Sequence, residues 1–165
     1  MSALLEFYRG AGVDARGRTL AELWAYSDGE MEAVHDFIQW MFPLREPSRF
    51  NPDAPLVSDI EVAAFRVEPA LRANLRRSLG RFLAFVGLKM VDGRVVEAAD
   101  FARKAEVFRR PNHNWLRISR VLASTRVLGL AAESRAFHAA LLELQADGRA
   151  AIAAETLGYW RLAAE

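Results

Sequence analysis

The stretch PALRANLRRSLGRFLAFVG, residues 69–87, predicts a central helix and, with it, a helical fold. Pro69 suits the first turn of a helix, where a missing N–H leaves no hydrogen bond unmade, and Gly87 suits the position just past the end. Apolar side chains recur between them at intervals of three and four residues, which puts them on one face. These residues are Leu71, Leu75, Leu79, Phe82, Leu83 and Val86.

Three more helix starts are marked by capping boxes, in which a Ser or Thr stands three residues before a Glu. The two side chains satisfy each other's backbone N–H groups, which a helix leaves unpaired at its start. The pairs are Thr19 with Glu22, Ser27 with Glu30, and Ser58 with Glu61.

We predict a single helix between the second of these boxes and Pro43. Apolar residues within it form one stripe at three- and four-residue spacing. They are Met31, Val34, Ile38, Met41 and Phe42. Pro43 ends the helix, because proline has no N–H to donate and its ring clashes with the preceding turn.

A Pro-rich loop follows from Leu44 to Pro55, where three prolines and two turn-forming residues make a helix improbable. Further on, Asp92-Gly93 predicts the two-residue turn of one short β-hairpin. Asp100 is expected to cap a helix through Phe108, and Pro111-Asn112 to open another that runs to about Leu128.

Two helices complete the chain, and its 29 alanines favour helix throughout. We therefore predict an all-α fold, a single compact domain over residues 1–165 with about seven or eight helices, the Pro-rich loop and at most one hairpin. Well over half of the residues should be helical.

Composition narrows the class of protein. The chain has 165 residues, of which 52% are apolar and 26% charged, so it should fold by itself. No cysteine is present, which excludes a disulfide scaffold, thiolate metal sites and a cysteine nucleophile, and which suits a reducing compartment. No uncharged stretch exceeds eight residues, far fewer than a membrane-spanning helix needs, so we expect no transmembrane segment and a cytoplasmic location.

Charge is unevenly distributed. Residues 1–62 hold 5 basic and 11 acidic residues, whereas residues 63–126 hold 14 and 5, and 20 of all 22 basic residues are arginine. The basic middle either packs against the acidic N-terminal third or forms an anion-binding face. The overall charge of +1 and the pI of about 8.2 favour the first interpretation.

No motif for catalysis, a cofactor or a metal stands out. His35, His113 and His138 have no metal-ligand spacing, so we expect no cofactor and no bound transition metal. Residues 10–15 match G-x-G-x-x-A, but no strand precedes them, and we interpret residues 10–18 as a loop.

Two polar stripes attract attention because they interrupt apolar helix faces. His35 and Gln39 lie four residues apart in the helix before Pro43, and His113, Arg117 and Arg120 follow one another after Pro111. Buried polar groups need hydrogen-bond partners, so these side chains could hold the Pro-rich loop in place. Alternatively, the two stripes converge beneath the loop and bind a carboxylate or phosphate.

Two blocks of sequence resemble the conserved N-terminal region of the opioid growth factor receptor family. They are HDFIQWMFPLRE at residues 35–46 and NHNWLRISRVL at residues 112–122. Supporting matches are Phe7-Tyr8, Trp24, Asn51, Ala54-Pro55-Leu56, Phe65, Phe85-Val86-Gly87-Leu88, Leu128-Gly129-Leu130 and Tyr159-Trp160. The resemblance covers nearly the whole chain, without the repeat-bearing C-terminal extension of animal members, as in a stand-alone, bacterial-type version of the domain.

The family's name implies binding of a pentapeptide opioid, a ligand that we do not extend to this chain. The family supplies no catalytic residues to carry over, but its characteristic polar positions coincide with the two stripes. The candidate ligand-binding residues are His35, Gln39, Trp40, Arg45, His113, Asn114, Arg117 and Arg120.

We therefore expect a non-enzymatic ligand- or partner-binding domain that holds a small anion or a peptide at a His/Arg-lined site. One alternative is an enzyme acting on a phosphorylated or carboxylated metabolite, with arginine as the clamp and histidine as the base. A second alternative is a nucleic-acid-binding helical module. Its contact residues would be Arg72, Arg76, Arg77, Arg81, Arg109 and Arg110.

Overall fold

The computed structural model describes residues 1–165 and confirms the all-α class, with 59% of the residues in helices and one two-stranded hairpin. There are ten α-helices, more than the seven or eight predicted, because several are only one turn long. They are α1 (Ala3–Tyr8), α2 (Leu20–Trp24), α3 (Asp28–Ala33), α4 (Ile38–Met41), α5 (Asp59–Val67), α6 (Pro69–Phe85), α7 (Phe101–Lys104), α8 (His113–Val127), α9 (Ala131–Ala146) and α10 (Ala154–Ala164).

The chain divides into two compact units, residues 1–78 and residues 79–165. The first unit contains α1 to α5 and the Pro-rich loop, and the second contains the hairpin and α7 to α10; α6 runs through the boundary. None of the helices is both long and apolar enough to cross a membrane.

All three capping boxes form as predicted. The side chains of Thr19, Ser27 and Ser58 each accept a hydrogen bond from the backbone at the start of α2, α3 and α5, and the Glu three residues on returns the bond. Short helices gain much from such caps, because a helix of five or six residues leaves most of its N–H groups without an internal partner.

The single helix predicted before Pro43 is wrong, since the structure has α3, a break at residues 34–37, and then α4. Val34 adopts an extended conformation and ends α3. The carbonyl of His35 accepts from the Gln39 amide at 3.3 Å, and the carbonyl of Asp36 accepts from Asn51 at 3.4 Å. Side chains therefore supply hydrogen bonds that a continuous helix would have taken from its own backbone.

An aromatic cluster forms the core of the first unit around Tyr8, which is fully buried. The ring centroids of Phe7 and Phe65 lie 5.7 and 5.1 Å from that of Tyr8, and both rings meet it edge to face. The Tyr8 hydroxyl donates to the carbonyl of Met41 and contacts the Ser78 hydroxyl at 3.1 Å. Burial raises the pKa of Tyr8 well above its ordinary value, so the hydroxyl stays protonated.

The Pro-rich loop is irregular, as predicted, and is tied down at both ends. The Val57 N–H donates to the carbonyl of Leu44 at 3.0 Å, which closes the loop. Arg45 pairs with Asp59 at the start of α5, with 2.7 Å between Nη2 and Oδ1.

The hairpin is also confirmed, with strands β1 (Leu88–Val91) and β2 (Arg94–Glu97) paired antiparallel so that Leu88 faces Glu97. Asp92 and Gly93 have φ angles of 48° and 77°, the left-handed backbone that this two-residue turn requires.

The predicted cap at Asp100 is wrong. Its side chain makes no hydrogen bond to the start of α7, and its carboxylate instead pairs with Lys104 at 3.0 Å and Arg103 at 3.1 Å. Two cations one turn away compete successfully for the carboxylate, which lowers its pKa. The helix predicted to reach Phe108 is α7 followed by a 3₁₀ turn at Ala105–Phe108.

Three long helices, α8, α9 and α10, pack together in the second unit. Asn112 caps α8 as predicted, since its side chain accepts from the Asn114 N–H at 2.9 Å. Trp115 in α8 and Trp160 in α10 meet edge to face at 6.3 Å, and the Trp160 indole N–H donates to the carbonyl of Trp115 at 3.1 Å.

His138 in α9 predicts a pH dependence of stability. Its Nε2 atom is buried without a hydrogen-bond partner. Burial lowers the pKa of the imidazole, nearby Arg161 lowers it further, and Glu165 partly opposes both effects. The unfolded chain therefore takes up the proton first as the pH falls below about 6.5, so the folded state loses stability from there down to the folded-state pKa.

We expect His138→Leu to remove this slope in urea unfolding measured between pH 5 and 8, and to leave stability at pH 7.5 unchanged or higher. Above pH 7 the imidazole is neutral in both states, so that range serves as the internal control. An unchanged slope in the variant would assign the dependence to another group.

Candidate functional site

A cavity of about 300 Å³ lies in the first unit, where the tip of the Pro-rich loop faces the turn that follows α1. Polar and charged side chains dominate its wall. The lining residues are Ala15, Arg16, Arg18, Asp36, Phe50, Asn51, Pro52 and Asp53. We call this cavity the loop cleft.

Arg18, which lines the loop cleft, forms an ion pair with the buried Asp14. The Asp14 side chain is fully buried, and its Oδ2 lies 2.7 Å from Arg18 Nε. Asp14 Oδ1 accepts from the backbone N–H groups of Arg16 and Arg18, both at 2.9 Å. The carboxylate thereby shapes the turn as well as neutralising the arginine.

Arg18 links this turn to the break between α3 and α4. Its Nη1 donates to Asp36 Oδ1 at 2.9 Å and to the Tyr26 hydroxyl at 3.2 Å. Burial alone would lower the pKa of Arg18, but its hydrogen bonds to Asp14, Tyr26 and Asp36 together raise it. The guanidinium is thus a permanent cation whose N–H groups are largely used inside the protein.

Arg16 differs from Arg18 in exposure. Its Nε pairs with Asp36 Oδ2 at 3.0 Å, while 72% of its side chain remains exposed. Arg16 therefore presents N–H groups to the loop cleft, and its position is held by a carboxylate that Arg18 also orients.

The loop side of the cleft is anchored by Asn51. Its amide donates to the carbonyl of Asp36 and to Gln39 Oε1, both at 3.4 Å. On either side of this anchor, the Phe50 side chain is 78% exposed, and Asp53 is exposed with no ion pair. An aromatic ring and a carboxylate are therefore presented to solvent beside the cleft.

The loop cleft combines both signs of charge with an amide and an apolar ring. Two guanidinium groups and two carboxylates line it, so they offer no net attraction for a simple anion. Its lining contains no hydroxyl, thiol or imidazole side chain that could act as a nucleophile or base.

Four of the predicted site residues lie in the first unit. Gln39 is buried and supports Asn51 from behind the loop cleft, as the structural interpretation of the first stripe requires. His35 is exposed, and Trp40 is buried with its ring 5.3 Å from Phe7. Arg45 is exposed and pairs with Asp59, outside the cleft lining.

The other four lie in the second unit, at the start of α8. His113 is exposed, whereas Asn114 and Arg117 are each 5% exposed. Arg117 Nη1 donates to Asn114 Oδ1 at 3.3 Å, and Arg117 has at least one further interaction. Arg120 is half-buried. That the two stripes converge on one ligand stays a prediction.

Two of the six arginines proposed for a nucleic-acid face, Arg72 and Arg77, have partners within their own unit. Arg72 donates to the carbonyls of Phe65 and Arg66 at the end of α5, and the Arg77 guanidinium lies 4.1 Å from the Trp24 ring centroid. These contacts do not favour nucleic-acid binding. No group of three or more His, Asp or Glu side chains is arranged to hold a metal ion.

Sequence reasoning missed the charged residues of the loop cleft, Arg16, Arg18, Asp36 and Asp53. Residues 10–18 lack an apolar periodicity, so the sequence predicts only a loop there. Asp36 belongs to the block of residues 35–46, but the sequence analysis selects its neighbours His35 and Gln39 as candidate binding residues instead. The available signal was the pair of arginines two residues apart in an acidic segment.

The fold and the loop cleft define the chain as a small all-α module with a polar surface cleft. Residues 6–161 match the model of the opioid growth factor receptor conserved region. The chain belongs to this family, as the two sequence blocks indicated.

Relatives with this conserved region are longer proteins. The chain is 36% identical over 110 residues to opioid growth factor receptor of mouse, which covers 65% of this chain and 17% of the relative. Identity to the human opioid growth factor receptor is 34% over 110 residues, 65% of this chain and 16% of the relative. Opioid growth factor receptor-like protein 1 of mouse is 31% identical over 108 residues, 64% of this chain and 23% of the relative. No solved structure matches the chain.

Proposed function

We propose that the chain is a non-enzymatic, receptor-like binding module that holds the end of a short peptide in the loop cleft. The observation that carries this proposal is the cavity itself, in which Arg16, Asp53 and Phe50 each present unused binding groups beside Arg18, whose guanidinium is held by ion pairs. A preorganised site of this kind loses little entropy when it binds.

A peptide fits the chemistry of the loop cleft better than a simple anion. Arg16 offers N–H groups to a peptide carboxylate, and Asp53 offers oxygens to an amino group or backbone N–H. Phe50 and Pro52 provide apolar surface for a side chain of the ligand. A small anion would meet the carboxylates of Asp36 and Asp53 as well as the arginines, and their repulsion would weaken its binding.

Size supports the same conclusion. About 300 Å³ lies at the lower end of the range for ligand pockets, enough for one or two residues of a peptide. The relatives are named as receptors for an opioid growth factor, which is consistent with a peptide ligand, and the absence of cysteine is consistent with our proposal of a cytoplasmic location.

Replacing Arg16 with alanine is expected to weaken peptide binding by about tenfold, because one charge-assisted hydrogen bond is lost. Amide chemical shifts in ¹⁵N-labelled protein would be followed during titration with a pentapeptide opioid, with the same peptide amidated at its C-terminus, and with phosphate or citrate. We expect the free-acid peptide to bind most tightly in the wild type and to lose this advantage in the variant.

Arg49→Ala is the matched control, because Arg49 is an exposed arginine of the same loop that does not line the loop cleft. Equal losses in the two variants would point to general electrostatic attraction. No shift at residues 15–18 or 50–53 with any of the probes would refute the proposal.

A further inference from the structure

Helix α5 has two apolar faces, and only one of them is buried. Val62 and Phe65 point into the core and are 5% and 0% exposed. On the opposite side, Ile60 and Val67 are 75% and 74% exposed, with the exposed Ala63 between them. At 100° per residue, Ile60, Ala63, Ala64 and Val67 fall within one sector of about 100°.

This arrangement is unusual for a helix on the surface of a small protein, which ordinarily turns polar residues outward. Apolar residues at positions i, i+3, i+4 and i+7 form the seam along which two helices pack. The two alanines at the centre of the seam allow close approach, and the larger Ile60 and Val67 at its ends can fit beside alanines of a facing helix. We call these four residues the α5 stripe.

Charged residues border the α5 stripe in a pattern that is complementary to itself. Asp59 and Arg66 lie on the same edge, seven residues apart. If two copies of α5 pair antiparallel about a two-fold axis, Asp59 of each copy faces Arg66 of the other. Arg66 has no ion pair within the chain, and Asp59, 92% exposed, contacts only Arg45, so both can take a further partner.

The opposite edge of the α5 stripe does not prevent this pairing. Glu61 is engaged by the N-cap residue Ser58, and Glu68, just past the helix end, is held by Arg9 with Nη2 2.7 Å from Oε1. Antiparallel pairing also places Glu61 opposite Glu68 of the second copy, but Arg9 already neutralises Glu68, so this repulsion is weak. Parallel pairing would instead place Asp59 beside Glu61 of the second copy, and its only attraction would be between Arg66 and the same neutralised Glu68. Charge therefore selects the antiparallel two-fold arrangement.

We infer that the α5 stripe is a self-association surface on which a second copy of this chain docks antiparallel. A nine-residue helix is about 13 Å long, so the contact falls below the area of about 1,200 Å² that stable complexes bury. The dimer is accordingly weak and reversible. It does not depend on the proposed peptide binding, since the stripe and the loop cleft share no residues.

Sedimentation velocity of the 165-residue chain from about 10 µM to about 1 mM tests this inference, because weak interfaces form only at high concentration. We expect the sedimentation coefficient to rise toward that of a dimer. Ala63→Glu should weaken the dimer by more than about tenfold, since it buries an unpaired charge in the seam. Ala73→Glu, at an exposed alanine of α6, is the matched control and should dimerise like the wild type.

Charge reversal tests the antiparallel geometry. Asp59→Arg and Arg66→Asp should each reduce self-association, because like charges then face each other, while an equimolar mixture of the two variants should associate again. Circular dichroism verifies that each variant is folded. A chain that stays monomeric at all concentrations, or an unaffected Ala63→Glu dimer, would overturn the inference and leave the stripe to a different partner.

Discussion

Arg18→Ala is expected to lower the free energy of unfolding by about 3–5 kcal/mol, because it leaves the buried Asp14 carboxylate without its cation. The Asp14 side chain has no solvent exposure, and Arg18 Nε lies 2.7 Å from it. Asp36 also loses one of its two arginines. For a chain of this size, the melting temperature should fall by about 10 °C, measurable by calorimetry or circular dichroism.

Arg16→Ala is the matched control for this prediction. Arg16 pairs with the same carboxylate, Asp36, but 72% of its side chain is exposed, and exposed ion pairs contribute little to stability. We expect a loss of no more than about 0.5 kcal/mol. If the two variants melt at the same temperature, the ion pair between Asp14 and Arg18 does not stabilise the turn.

Arg117→Ala is expected to lower the free energy of unfolding by about 2–3 kcal/mol, since it removes a buried donor and leaves Asn114 Oδ1 without it. The His/Arg-lined binding site expected from the sequence predicts the opposite result, in which this substitution leaves stability nearly unchanged and abolishes stabilisation by anions. The 5% exposure of Arg117 favours the structural role instead. Thermal unfolding with and without phosphate, citrate or short peptides separates the two.

Arg109→Ala provides the control, because Arg109 is exposed and should change stability by less than about 0.5 kcal/mol. A wild-type protein that phosphate stabilises, together with an Arg117→Ala variant of unchanged melting temperature, would restore the pocket hypothesis.

Local signals predicted most of the fold. The three capping boxes, Pro69 and the Asp92-Gly93 turn each act within a few residues, so their chemistry is visible in the sequence. The exceptions are the break after Val34 and the missing cap at Asp100. At the break, the carbonyls of His35 and Asp36 accept hydrogen bonds from side chains instead of from the helix backbone. At Asp100, the carboxylate pairs with Arg103 and Lys104 instead of capping α7.

The candidate site was predicted only in part. The Pro-rich loop, Gln39 and Asn51 were identified as features of interest, and the structure joins the two side chains at 3.4 Å. The loop cleft itself depends on Arg16 and Arg18 meeting Asp36, which lies 18 residues or more further along the chain. The spacing of residues in a sequence does not predict an ion pair between side chains so far apart along the chain.

The helical class, the helix starts, the hairpin turn and the family membership could all be predicted from the amino-acid sequence, because they depend on backbone propensities and on the order of residues along the chain. Which polar side chains are buried and which face solvent is known only from the folded structure. Arg16 and Arg18 are identical in type and two residues apart, yet one is exposed and the other holds a buried carboxylate. The difference arises because burial depends on which distant segments of the chain pack against a residue. Burial lowers the local dielectric constant and so strengthens the interaction between two charges.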